Sequence, residues 1–209
     1  MPRKEAPLNQ LQTYLPPNTF EAVRQYLHQY QVHLTVAKER KSILGDYRHR
    51  TQGKTHRISV NGNLNTYSFL ITLLHELAHL LTFEKFGNKV QSHGKEWKFI
   101  FGQLLDQFIR HEVFPIDIKH ALLQSLQNPA ASSCADDVLL RVLKTYDKRR
   151  DNFVFVENVL EGQLFKTHDG KVFKKGEKLR KRFKCIEVAT KRLYLFSPVY
   201  EVMPYVLTH

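Results

Sequence analysis

The chain has 209 residues, 42% of them hydrophobic, which suffices for one ample core or a core with a small appendage. No low-complexity tract or internal repeat is present, and the longest apolar runs near its centre fall well short of the ~20 residues a membrane-spanning helix needs. Composition thus excludes fibrous and disordered classes and argues against a membrane protein. Net charge is +12 and unevenly placed: residues 141–209 hold 16 Lys and Arg against 8 Asp and Glu, whereas residues 1–140 hold 16 against 12. The opening segment, Met1 to Pro7, lacks the apolar stretch of a secretory signal. Cys134 and Cys185 form no close pair, so free thiols in a reducing cytoplasm are expected.

In chain order, Pro16 and Pro17 precede Asn18-Thr19-Phe20-Glu21, a capping-box pattern that predicts a helix with Phe20, Val23, Leu27 and Tyr30 on one face. Val32 to Val36 reads as a strand, and two further short strands fall within Leu44 to Arg48 and His56 to Asn61. A long helix follows from roughly Asn65 to Phe86, with Gly87 suited to its C-terminal cap. Ser92 suits the N-cap of the next helix, whose Trp97, Ile100, Phe101, Leu104, Leu105 and Phe108 share a face. Pro115 marks a break, and two more helices are expected near 117–127 and 133–147. From Asp151 the pattern alternates instead. Asp169-Gly170 marks a tight turn between strands at Leu164 to Lys166 and Val172 to Lys174, with more strands at Arg182 to Val188 and Leu193 to Phe196. The fold class is therefore α+β: residues 1–150 form helices around a small sheet, and residues 151–209 form a basic, β-rich unit.

Chemistry concentrates in the long helix, at His75-Glu76-Leu77-Ala78-His79. Residues four apart share a helical face, so both imidazoles of this H-E-x-x-H can reach one metal ion. Glu76, rotated about 100° from His75, can sit over the metal's open position and take a proton from water there. Ser68, Thr72, His75, His79 and Thr82 form one narrow polar stripe on an otherwise apolar helix, the inverse of an ordinary surface helix. Such a helix is buried on most sides, with its stripe lining an internal cleft. Burying a lone Glu and two His is expensive, and a metal supplies the compensating partner. The bland alternative is a core helix whose His and Glu merely hydrogen-bond to their neighbours.

A catalytic zinc takes a third protein ligand. The metzincin spacing would put Gly at position 82 and His at 85, but the chain has Thr82 and Lys85. His93, at the start of the second helix, is the leading candidate, with Glu96 as competitor. The other histidines, including His49 and His56, lack ligand spacing and read as surface or turn residues. H-E-x-x-H, a gap of about a dozen residues, then His93-Gly94 and Trp97, together resemble the SprT-like (Spartan-type) zinc metalloprotease family. The short strands before the helix fit as well, and the likeness covers roughly residues 18–125. It implies a zincin-like domain in which His75, His79 and His93 bind one Zn2+ and Glu76 is the general base of peptide hydrolysis. It also implies protein substrates, some of them attached to DNA. Nothing in the sequence identifies an oxyanion donor; Tyr47, Arg48 and Tyr67 are only nearby candidates in sequence, and Arg57 to Val60 could pair with an extended substrate if it lies at a sheet edge.

The tail departs from that family. Many members end in a zinc ribbon with two cysteine pairs, whereas Cys185 stands alone, so a ribbon-like β unit without its metal is expected. Its basic residues, with those just before it, cluster at Lys148, Arg149, Arg150, Lys174, Lys175, Arg180, Lys181 and Arg182, a pattern suited to phosphate backbones. Interleaved aromatics such as Phe165, Phe173 and Phe183 either stack bases or fill a core. Two other functions compete: a DNA-binding protein with a purely structural metal site, and a zinc hydrolase acting on something other than protein.

Overall fold

Between Phe69 and Thr82 every residue but His79 and Leu81 is buried, polar ones included, and the helix they form is covered on nearly every side. That helix organises the first part of the structure, a computed structural model that describes residues 8–40, 43–127, 136–147 and 152–205. The chain divides into two compact units, Met1–Asp147 and Lys148–His209. Both helices and sheets are present, so the class is α+β.

In the first unit a 3-10 segment at Leu8–Tyr14 leads to α1 (Phe20–Gln29), β1 (His33–Ala37), β2 (Gly45–Arg48) and β3 (Arg57–Asn61). The long helix α2 (Thr66–Phe86) follows, then α3 (Lys95–Arg110), α4 (Ile116–Gln127) and α5 (Asp137–Lys144). Local signals set the ends of α2. The Asn65 side chain accepts from Ser68 N–H at 2.9 Å, and Gly87 takes the positive φ of 61° while its N–H donates to Phe83 O at 2.7 Å. The capping box expected at Asn18 does not form. Asn18 is itself left-handed (φ 63°), the Thr19 hydroxyl donates to Pro16 O, and Glu21 pairs with Arg24 at 2.7 Å.

The three strands form a sheet ordered β1-β3-β2, with β1 and β3 parallel and β2 antiparallel to β3. The Arg57–Val60 strand is therefore central, not an edge, and cannot accept an added strand; β1 and β2 are the edges. Ile58 and Val60 turn into the core, and α2 lies against β2 and β3 on one side and α3 on the other. Trp97, Ile100, Phe101, Leu104, Leu105 and Phe108 recur at helical spacing, and all are buried. Asn65 also ties the start of α2 to the end of α5, its Nδ2 donating to Leu143 O at 2.9 Å and Asp147 Oδ1 at 2.6 Å.

The second unit is a six-stranded antiparallel sheet. Its strands are β4 (Val154–Phe155), β5 (Leu164–Lys166), β6 (Val172–Leu179), β7 (Arg182–Glu187), β8 (Leu193–Phe196) and β9 (Glu201–Tyr205). They are ordered β4-β9-β5-β6-β7-β8, and the β6–β7 pairing carries an irregularity between Lys175 and Lys178. Val156, Val159, Phe165, Phe173, Cys185 and Val202 make its core, with Phe183, Tyr194 and Phe196 packed against them. The interleaved aromatics therefore face inward.

Lys175 shares their face. It is only 6% exposed, and its ammonium donates to the Glu157 carbonyl at 3.1 Å and to the Val159 carbonyl while lying 4.1 Å from the centre of the Phe183 ring. A buried cation so engaged is not a phosphate contact, which corrects its place in the basic cluster. Removing it leaves two carbonyls short of a charged donor. Lys175→Met should destabilise this unit by about 2 kcal/mol, read by hydrogen exchange as roughly thirtyfold faster opening of β5–β7 amides with α2 amides unchanged. Unchanged protection in β5–β7 would show that the ammonium holds nothing in place.

Candidate metal centre

The i, i+4 spacing on α2 puts His75 and His79 on one face, with their Nε2 atoms 3.2 Å apart. His93 reaches them from outside α3. The second helix begins at Lys95 with Gly94 as its extended N-cap, so Ser92 is not the cap and His93 sits in the turn before the helix. Gly94 N–H closes that turn on Gln91 O at 3.0 Å, and His93 Nε2 lies 3.3 Å from His75 Nε2. One donor atom from each of the three rings falls within 4.8 Å of the others; Glu96 is not in the group.

These residues fit a metal ion. A tetrahedral zinc ~2.05 Å from each imidazole nitrogen requires nitrogens ~3.3 Å apart. His75 Nε2 meets two other Nε2 atoms at close to that separation, and its single N–H or lone pair cannot satisfy both. His75 Nδ1 is buried with no hydrogen-bond partner among the described residues. The electrostatics agree with the geometry. Burial, reinforced by its two histidine neighbours, lowers the pKa of His75 to about 3, and burial and His93 lower that of His79 to about 4. Burial lowers His93 too. The rings are therefore neutral near pH 7, the form that ligates.

Trp97 supplies the wall behind them. Its ring centre lies 4.7 Å from His75, 5.3 Å from His79 and 4.7 Å from His93, and it stacks on Phe101 at 4.9 Å. On another side Tyr47 lies parallel to the His79 ring at 6.4 Å. Its hydroxyl hydrogen-bonds His56 Nδ1 at 2.9 Å, and His56 Nε2 lies 3.3 Å from Glu84, which pairs with Arg50 at 3.2 Å. His56, 2% exposed, is thus a buried neighbour of the site and not the surface residue its spacing suggested. Tyr47 engages His56 here, Arg48 is an exposed partner of Asp46, and Tyr67 packs on Phe114 and Tyr146.

Glu76 is 6% exposed and lies against β2: a Cβ on Gly45 would be 2.5 Å from its Oε1. Burial, with Asp46 adding and Arg40 opposing, pushes its pKa up to about 8. Arg40 is itself clasped, donating to Asn61 Oδ1 at 2.7 Å and Ser59 Oγ at 2.9 Å. Sequence reasoning missed Gly45, Arg40, Asn61 and His56. Only Gly45 left a signal, since glycine within a strand often marks close approach of another group.

In the second unit Lys174, Arg180, Lys181 and Arg182 are exposed along the β6–β7 hairpin. Lys148, Arg149, Arg150 and Cys134 lie outside the described residues. Among those residues no helix is long and apolar enough to cross a membrane.

Comparison with known proteins agrees with the site. Protein SprT from Glaesserella parasuis serovar 5 (strain SH0165) is 58% identical over 31 residues, 15% of this chain and 19% of that protein. The match thus spans about a fifth of the relative's length. No solved structure matches. The SprT-like family model matches residues 15–120, just over half of the sequence, and the chain belongs to that family.

Proposed function

We propose that the protein is a zinc-dependent peptidase in which His75, His79 and His93 hold the metal and Glu76 is the general base. The observation that carries this reading is the convergence of three imidazoles, with His75 at zinc-like separation from the other two and a buried carboxyl one residue beyond it. When bound, zinc supplies an open coordination position that acidifies water and polarises a carbonyl. Glu76 takes the proton of the attacking water and returns it to the departing amine. Trp97 packs against all three imidazoles, Phe101 against His75 and Tyr47 against His79, which limits solvent on those sides. A helix carrying two ligands, packed under a sheet whose edge strand β2 borders the base, supports a zincin-like reading of this unit. An extended peptide would pair with β2, the edge beside Glu76. The second unit is read as the counterpart of a zinc ribbon, without its metal. The buried, free thiol of Cys185 suits a reducing compartment such as the cytoplasm.

A purely structural metal site fits less well. The His75–His79–His93 group has no fourth His, Cys, Asp or Glu among the described residues. Non-protein substrates remain the second reading, because the motif specifies the catalyst and not the molecule cut. Zinc-loaded wild type should digest an unfolded test protein, and Glu76→Gln should keep its zinc while losing about a thousandfold in kcat. An active Gln variant removes Glu76 from the mechanism. A zinc-loaded wild type that cleaves no protein removes the peptidase reading.

The buried carboxyl predicts a further effect in the metal-free chain. Below its ordinary pKa of 4.5 Glu76 is protonated whether folded or unfolded and contributes nothing. Between 4.5 and about 8 the unfolded chain ionises first, so the penalty on folding grows with pH and is complete above about 8. Glu76→Gln should therefore stabilise the metal-free protein at pH 9, on the order of 3 kcal/mol by urea unfolding, and hardly at all at pH 4. Equal effects at the two values would contradict an ionisable buried carboxyl.

For the second unit we propose contact with DNA phosphates through Lys174, Arg180, Lys181 and Arg182. Because the aromatics face the core, binding should be electrostatic and nearly indifferent to sequence. Replacing all four with Gln should flatten the slope of log affinity against log salt by about 3. Wild-type affinity that ignores salt would remove the contact.

A further inference from the structure

Glycine at position 45 is unexplained by its backbone. Gly53, Gly87, Gly162 and Gly170 take positive φ angles, but Gly45 lies in regular β2 opposite Val60 and does not. What excludes a side chain there is space. An added Cβ would stand 2.5 Å from Glu76 Oε1, 2.9 Å from Glu76 Cγ and 2.8 Å from Thr72 Cγ2. Two of those atoms belong to the proposed base itself.

Which partner would yield follows from what holds each one. The strand cannot back away easily. Gly45 is paired into the ladder with β3, and the preceding loop is clamped: Asn61 N–H donates to Leu44 O at 2.9 Å, and Asn61 Nδ2 donates to Ile43 O at 3.0 Å and Arg40 O at 3.2 Å. Arg40 returns the clamp by donating to Asn61 Oδ1 at 2.7 Å. Helix α2 is fixed between the sheet and α3, and it carries the metal-binding imidazoles. Of the two side chains in contact, the Thr72 methyl sits close to the helix backbone, whereas the Glu76 carboxylate ends a flexible chain. A methyl at position 45 therefore displaces the carboxylate furthest and asks of Thr72 only a small shift, with the three ring nitrogens left in place.

We propose that Gly45 is a positioning residue for the peptidase reaction: its bare backbone forms a socket on the edge strand that sets where the Glu76 carboxylate stands. This rests on the general-base role given to Glu76 above. The socket also makes β2 serve two ends, aligning the base and bordering the strand position of an extended substrate, so that base and scissile bond share one reference frame. A misplacement of about 1 Å in such a group costs about a hundredfold in rate.

Gly45→Ala tests it. Zinc stoichiometry and affinity should match wild type, kcat should fall about a hundredfold and KM should stay within about twofold. Crystals of the zinc-loaded variant should show the Glu76 carboxylate moved from β2 with the His75, His79 and His93 nitrogens in place. In a Glu76→Gln background, adding Gly45→Ala should reduce the residual rate no further, because no base is left to misplace. Gly102→Ala on α3, which adds a methyl 3.6 Å from Leu126 of α4, should leave kcat unchanged. If Gly45→Ala does not fold, Thr72→Ser relieves the one contact outside Glu76, and the pair should fold with the same loss. A wild-type kcat, an unmoved carboxylate, or a full further loss in the Gln background each overturns the proposal. If zinc-loaded wild type proves inactive on protein, the peptidase reading fails by itself, and the position of the carboxylate in the variant crystal still decides the socket.

Discussion

His75 Nε2 stands 3.2 Å and 3.3 Å from two other imidazole nitrogens inside an apolar wall, and that crowding is the constraint from which the first unit follows. Neighbouring rings can approach so closely only if they are not both charged. Burial lowers their pKa values, most strongly for His75, as Trp97 and Phe101 pack against the rings in place of part of their solvent. The same desolvation acts on Glu76 in the opposite electrical sense, raising its pKa. One apolar enclosure therefore leaves three imidazoles in the form that could hold a metal ion and raises the pKa of the carboxyl beside them. The metal-free protein carries the cost of that arrangement, which is why α2 needs cover from α3, β2 and β3 at once.

The second unit meets a related need by other means. A six-stranded sheet of this size has a small core, here six buried side chains with three aromatics beside them. Lys175 joins loop and strand there through an ammonium that bonds the Glu157 and Val159 carbonyls and rests on Phe183. Cys185, opposite it in the β6–β7 ladder, is buried and behaves as a small apolar residue.

Elements set by local chemistry were readable in the sequence; those set by distant partners were not. Helix α2 ends where Asn65 and Gly87 say it should, because caps act within one turn. The Asp169-Gly170 hairpin forms for the same reason, with Gly170 at φ 86°. At Asn18 the capping-box pattern lost to a left-handed residue and a Thr19 hydroxyl turned back to Pro16. Alternation tells which face a strand residue takes but not which strand lies beside it, so the central place of β3 was hidden. His56 is buried through Tyr47, and Arg40 is held by Asn61, partners separated from them by intervening chain that no spacing reports. Lys175 is a different case. It shares the inward parity of Phe173, so alternation already placed it inside, and its charge alone suggested otherwise.

The site residues divide along the same line. His75, Glu76 and His79 lie on one helix, where fixed periodicity turns spacing into geometry. His93 comes from a turn, and its approach depends on α3 folding back so that Trp97 can pack beneath all three rings. The aromatic three residues after Gly94 is thus more than a packing residue: it couples burial of α3 to closure of the ligand set. Gly45 adds a constraint of a third kind, since it contributes no atom to the chemistry and acts through the volume it leaves empty. A motif search finds donors and acceptors, whereas a socket is visible only once the strand and the carboxylate that share it have been brought together by β3 and the Arg40–Asn61 clasp.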